Sequence, residues 1–264
     1  MGGRDAPGGL LERPLDEAPA AFAFAEQSVP VGPDAGIMAI LSTTRAMRHL
    51  ASDPVPDDLL RSVIEAATWA PSGGNWQVAS YVVVTDRASM ARLAVLWRRA
   101  VEDWRLFLEG AGIVASGPSA TRTEASIDFQ LDHFAETPAL IVVCGDMRAM
   151  GQSRGGAATV RFLAGRLGLR RTLGLVRGLM RMSARSEAAS IYPAVENLLL
   201  AARAHGLAAC LTTWHLLAED DFKEALGIPK DVKTWAVIPI GWPLRRFGPV
   251  RRRPVDDVIH RERW

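Results

Sequence analysis

Apolar positions recur along this chain at two periods. From Leu59 through Val63, Ala67 and Ala70 they stand three or four residues apart, the face of an α-helix that Asp57 or Asp58 is placed to cap. Pro71, which has no N–H to donate, ends it. Met90, Leu93, Trp97, Val101 and Trp104 keep the same period in a second helix, and Tyr192–His205 reads as a third that stops at Gly206, where a left-handed residue is expected. β-branched Tyr81–Val84 reads as a strand, and further strands are read at Leu140–Cys144 after Pro138, at Ala208–Thr213 and at Trp235–Ile240. The last two flank a short helix that Gly227 and Pro229 terminate. Strands and helices intermingle without a regular βαβ repeat, so the pattern predicts an α+β fold rather than a doubly wound sheet. Residues 1–36 carry five prolines among Gly and Ala and read as an irregular N-terminal extension to one domain over 37–264.

Composition narrows the chemistry. A formal charge of +2 is too small to call for a nucleic-acid partner. Cys144 and Cys210 each sit in an apolar run, as reduced core cysteines do, and the five histidines show no metal-ligand spacing. No apolar run reaches the roughly 20 residues that span a bilayer, and no signal-peptide core follows Met1, so a cytoplasmic protein is expected. Gly110-Ala111-Gly112 follows a helix rather than a strand and lacks the onward spacing of a dinucleotide-binding turn.

Two runs carry the candidate chemistry. Thr44-Arg45-Ala46-Met47-Arg48 places two guanidiniums three residues apart on what reads as a helical turn. Ala70-Pro71-Ser72-Gly73-Gly74-Asn75 is a loop able to present backbone N–H groups and an amide to a flat polar ligand. A planar, phosphorylated cofactor such as flavin mononucleotide (FMN) needs these types: forked guanidinium donors for the phosphate, a cation where charge gathers near N1 on reduction, and amide partners at the pyrimidine edge. Arg45, Arg48 and Asn75 qualify.

The order of these runs resembles the FMN-dependent nitroreductase family. That family opens on an Arg-Arg-Ser-x-Arg-like motif, continues to a Pro-Val-Pro helix start and shows Ala-Pro-Ser-x-x-Asn-x-Gln before a strand. Thr44–Arg48, Pro54-Val55-Pro56, Ala70–Gln77 and Tyr81–Val84 stand here in that order. Tyr192-Pro193-Ala194-Val195-Glu196-Asn197, Gly227-Ile228-Pro229 and Ile240-Gly241-Trp242-Pro243 resemble its later motifs. The resemblance implies a central, mostly antiparallel sheet flanked by helices in an intertwined homodimer, with FMN at the subunit interface. Thr44, Arg45 and Ala46 would then lie along the phosphate and ribityl chain, and Arg48 at N1 and O2. Pro71, Ser72, Gly73 and Asn75 would reach in from the partner, and Thr212 and Thr213 would lie near N5. Arg252 would hold the phosphate, with Arg251 and Arg253 as open alternatives. Thr44 and Ala46 replace the family's first arginine and its serine. The implied activity is reduction of nitroaromatic, quinone or similar electron-poor small molecules by NADH or NADPH, the flavin carrying the chemistry with no catalytic side chain or metal. Reductive dehalogenation, metabolite-specific oxidation and non-catalytic flavin binding are the alternatives.

One segment falls outside the resemblance. Residues 147–186 hold nine arginines and no acidic residue, interleaved with leucines, and read as one or two basic amphipathic helices broken near Gly174. Solvated insertion, lid over the site, and contact with a membrane surface or nucleic acid remain open for it. An arginine-rich arm, 243–264, closes the chain.

Overall fold

The strand β2 (Ala139–Gly145) is buried along its whole length, because both faces of the sheet it centres are covered. In this computed structural model, which describes residues 36–113, 117–146 and 156–264, β2 pairs antiparallel with β1 (Ala79–Val84) on one side and β4 (Lys233–Gly241) on the other. The two-residue β3 (Ala208–Ala209) adds to β4, giving the order β1-β2-β4-β3. All pairs are antiparallel, and the α+β expectation holds. Residues 1–35 of the expected extension lie outside the described residues.

Strand alternation divides the core into two layers. Ile141 and Val143 of β2, with Ile238 and Ile240 of β4, face α2 (Asp57–Thr68) and α6 (Leu169–Ala204). Leu140, Val142 and Cys144 face α3 (Arg87–Gly110), α4 (Pro118–His133) and α7 (Glu219–Leu226), where Trp97 stacks on Phe134 at 5.0 Å between centroids. Both cysteines are buried and free, and burial pushes the Cys144 thiol up to about 11. Gly241 ends β4 where a Cβ would stand 2.5 Å from the Pro138 ring, so the strand reaches its place only with glycine there.

Several local expectations are corrected. The cap residue of α2 is Pro56, with Asp57 and Asp58 inside the first turn, where they meet the helix dipole without capping. The third strand is shorter than Ala208–Thr213: beyond Ala209 only Thr212 bridges to Val237, as the chain turns toward the short helical segment Trp214–Ala218. The basic segment breaks at Gly168 (φ +75°) between α5 (Ala157–Leu167) and α6, not near Gly174. Gly174 lies within α6, which runs unbroken through Pro193 into the helix expected from Tyr192. Gly206 adopts the expected left-handed conformation. Arg148 and Arg154 of the basic segment lie outside the described residues.

Candidate functional site

The first candidate run is not helical. α1 (Ile37–Thr43) ends where Thr43 and Thr44 turn their hydroxyls back onto the carbonyls of Ala39 and Ile40, at 2.6 and 2.7 Å, and residues 44–49 continue without helical structure. Met47 anchors this run: its N–H donates to Ala209 O at 3.1 Å and its side chain is buried with Ala208 and Phe247. The C-terminal arm straps it from outside, through Leu244 N–H to His49 O and Val250 N–H to Ser42 O. Held between β3 and the arm, the run lines two neighbouring cavities.

The first cavity, about 220 Å³, is basic. Thr44, Arg45 and Ala46 line it from the run and Arg252 from the arm. Neither Arg251 nor Arg253 lines it. Arg203 of α6 is a wall residue that sequence reasoning missed. It is 1% exposed, its Nε–H donates to Thr43 Oγ1 at 3.0 Å, and its guanidinium lies 4.0 Å over the Phe247 ring. Burial lowers the pKa of Arg203, and burial with the Arg245 charge lowers that of Arg45. An arginine cannot lose its proton within a protein, so three guanidiniums remain charged around one small space, partly offset by Glu196. That is the donor set of an anion site.

The second cavity, about 200 Å³, is lined by Arg48, Gln130, Thr212, Thr213 and Trp214, and shares Leu211 with the first. Gln130 is 4% exposed, and its Nε2 has no hydrogen-bond partner among the described residues. An unpaired buried donor costs free energy until a ligand accepts from it. Sequence reasoning missed Gln130 because the last turn of α4 comes to this cavity only through packing. Next to Arg48 in the chain, His49 lies against Phe129 with centroids 4.2 Å apart and rings tilted by 43°; burial, then the Arg245, His133 and Arg48 charges, lower its pKa to about 4.

Behind Thr213, buried His215 fixes the strand end. Thr234 gives its N–H and its hydroxyl to Glu219 Oε1, and His215 Nε2 stands 3.1 Å from the same hydroxyl oxygen. With that hydroxyl proton committed, Nε2–H is the donor and Nδ1 is left bare. Burial lowers the His215 pKa to about 4 against the opposing pull of Glu219. Burial by itself would raise the Glu219 pKa, but Thr234 and the Lys223 ammonium at 3.0 Å outweigh it and hold it low.

Pro71, Ser72, Gly73 and Asn75 line neither cavity. Their loop is held against α6 by Gly73 N–H to Ser190 Oγ (3.1 Å) and within itself by Gln77 N–H to Ser72 Oγ (3.0 Å), with Pro71, Gly73 and Asn75 exposed. Asn75 and Gln77 hold positive φ of 54° and 49°, a conformation uncommon for residues other than glycine. The two candidate runs therefore do not meet within one chain. Trp214 lines the second cavity, whereas Trp76 lines neither.

Three comparisons bear on this geometry. A protein named NADH dehydrogenase from Thermus thermophilus is 27% identical over 219 residues, 81% of this chain and 90% of that one. A BluB-like flavoprotein from Clostridium difficile superposes with a TM-score of 0.60 at 18% identity, covering 85% of this chain and 98% of that one. Iodotyrosine deiodinase, solved with FMN and 3-iodo-L-tyrosine, gives 0.58 at 18%, covering 87% and 100%. Residues 41–242, which run from α1 through the end of the sheet and hold every cavity-lining residue except Phe247 and Arg252, match the Nitroreductase family profile, and the chain belongs to that family.

Proposed function

We propose that this chain is an FMN-dependent oxidoreductase that draws electrons from NADH or NADPH and passes them to nitroaromatic, quinone or similar electron-poor small molecules. The observation that carries the reading is the pair of cavities joined at Leu211. One offers Arg45, Arg203 and Arg252 to a phosphate; the other offers Arg48 and the unpaired Gln130 amide to a polar ring edge. A ligand with a phosphate at one end and a flat, hydrogen-bonding ring at the other fits this donor set. Bound there, FMN supplies a two-electron carrier that a nicotinamide reduces and an acceptor reoxidises in turn.

The chain's own residues then position and tune. Arg48 sets a positive charge at the ring edge, which favours the reduced, negatively charged form. Thr212 and Thr213 present the turn after β3 to the ring. The exposed 71–75 loop completes the site of a second subunit in a homodimer, giving two equivalent sites. Exposed Met38 and Trp69, each 74% accessible in the single chain, supply apolar surface for that contact.

The test is an anaerobic reductive titration of the purified protein. We expect a yellow protein whose flavin absorbance NADH or NADPH bleaches and a nitroarene or quinone restores. Protein that is colourless and takes up no FMN overturns the cofactor reading; bound flavin that neither nicotinamide reduces overturns the oxidoreductase reading and leaves a flavin-binding protein. Reoxidation by halogenated phenols alone would move the chain to the dehalogenating alternative.

A further inference from the structure

The hairpin of α5 and the first half of α6, residues 156–186, lines neither cavity, and its charge departs from that of the rest of the chain. From Gly156 to Ser186 it holds seven arginines and no acidic residue; the chain's formal charge is +2 with those arginines and −5 without them. The next acidic residue, Glu187, pairs with Lys233 of β4 at 2.5 Å, tying α6 to the sheet there. From Leu169 to Glu187, α6 adds about 27 Å of helix.

The arginines of α6 share a face. Arg170, Arg171, Arg177, Arg181 and Arg185 fall on an arc of about 120° at 3.6 residues per turn. On the opposite side α5 packs over buried Thr172 and half-buried Val176. It leaves an apolar row exposed along each border, Leu169, Leu173 and Met180 on one and Leu175, Leu179 and Met182 on the other. Met180 is 72% exposed; so is 63% of Phe162, which stands on the outer side of α5 with the Arg166 guanidinium 5.7 Å from its ring.

We propose that this hairpin is a docking surface for an anionic lipid bilayer. Apolar rows bordered by guanidiniums match the two parts of such a surface: the leucine and methionine side chains enter the acyl boundary while the arginines remain at the phosphate level. Outside the hairpin and the arginine-rich arm 243–264 the chain is acidic and is repelled, which disfavours orientations that turn that part toward the bilayer. A second copy docked hairpin to hairpin would set seven arginines against seven. A nucleic acid would satisfy the arginines but leave both apolar rows in water. Because α6 runs unbroken from the hairpin to Glu196 and Arg203, docking would hold the basic cavity at a fixed distance from the membrane. If the flavin reading holds, that geometry suits acceptors dissolved in lipid.

Co-sedimentation of the full chain with vesicles tests this. We expect binding to phosphatidylcholine vesicles containing phosphatidylglycerol and at least about tenfold weaker binding to phosphatidylcholine alone. The triple variant Arg170→Gln/Arg177→Gln/Arg181→Gln should lose at least about tenfold on the anionic vesicles. Leu173→Ser/Met180→Ser should weaken binding severalfold at unchanged net charge, with circular dichroism and flavin content of both variants as in the parent. Equal binding to the two vesicle types, absence of binding, or anionic binding indifferent to both variants overturns the proposal. Binding to duplex DNA without binding to vesicles overturns it in favour of a nucleic-acid partner. Flavin content is read separately, so failure of the cofactor reading leaves this result intact.

Discussion

Arg203 and Gln130, 1% and 4% exposed, stand in the walls of the two cavities with almost no access to solvent. Arg45, Arg48 and Arg252 were readable as cations in an ordered set of motifs, and each lines a cavity. Arg203 and Gln130 were not, because a buried position on a helix is known only once its neighbours are placed. For Arg203 the signal was a lone charge within the apolar stretch Leu198–Leu207. Replacement by Met should separate two ligands: FMN affinity falls at least about tenfold, the loss of a charge-assisted hydrogen bond. Riboflavin, which lacks the phosphate, should change little; fluorescence quenching titrations of both read the ratio, and an equal loss for both would make Arg203 purely structural. Gln130→Leu should leave the flavin-free protein as stable as the parent or more so, since it removes an unpaired buried donor, while weakening flavin binding severalfold. Arg48→Ala should lower the potential of the bound flavin, measured against a reference dye, because it removes the cation beside the reduced ring.

At the level of elements, β2 and β4 were legible because strands covered on both faces read as unbroken apolar runs. The strand after Gly206 is shorter than its pattern suggests, since the apolar run Ala208–Leu211 continues past the two residues that pair in β3. The break at Gly168 rather than Gly174 has a similar origin: a helix-interior glycine costs only about 1 kcal/mol, so composition does not say which glycine stops the helix. The spacing of the arginines at 44–48 fits a helical turn, whereas contacts with Ala209 and the C-terminal arm hold the run outside α1. Two predictions belong to elements. Gly241→Ala should cost about 1–3 kcal/mol in denaturant unfolding, since the added methyl meets the Pro138 ring. His215 carries a pH dependence through the turn after β3. Its folded pKa near 4 lies below the unfolded value near 6.5, so its contribution is complete above pH 6.5 and is lost as pH falls toward 4. About 3 kcal/mol of stability should disappear across that window. His215→Gln, which keeps a donor toward Thr234, should flatten this part of the stability profile.

For the whole molecule, we propose that one FMN site is assembled from two chains: the arginine cavity and its neighbour from one, the 71–75 loop from the other. Both candidate runs are readable in the sequence, but their separation within a chain is not, since only packing sets the loop against Ser190 on α6. Subunit complementation tests this most directly. One variant, Arg45→Gln/Arg252→Gln, lacks cavity charges; the other, Ser72→Ala/Asn75→Gly, lacks the loop's polar groups without straining its backbone. Each alone should bind FMN poorly. Mixed after dissociation and reassembly, they should regain tight FMN binding in about a quarter of all sites, because half of the dimers are mixed and each mixed dimer holds one site free of both defects. Flavin stoichiometry in the mixture that stays at the level of the separate variants would place cavity and loop in the same chain's site and overturn the shared interface site.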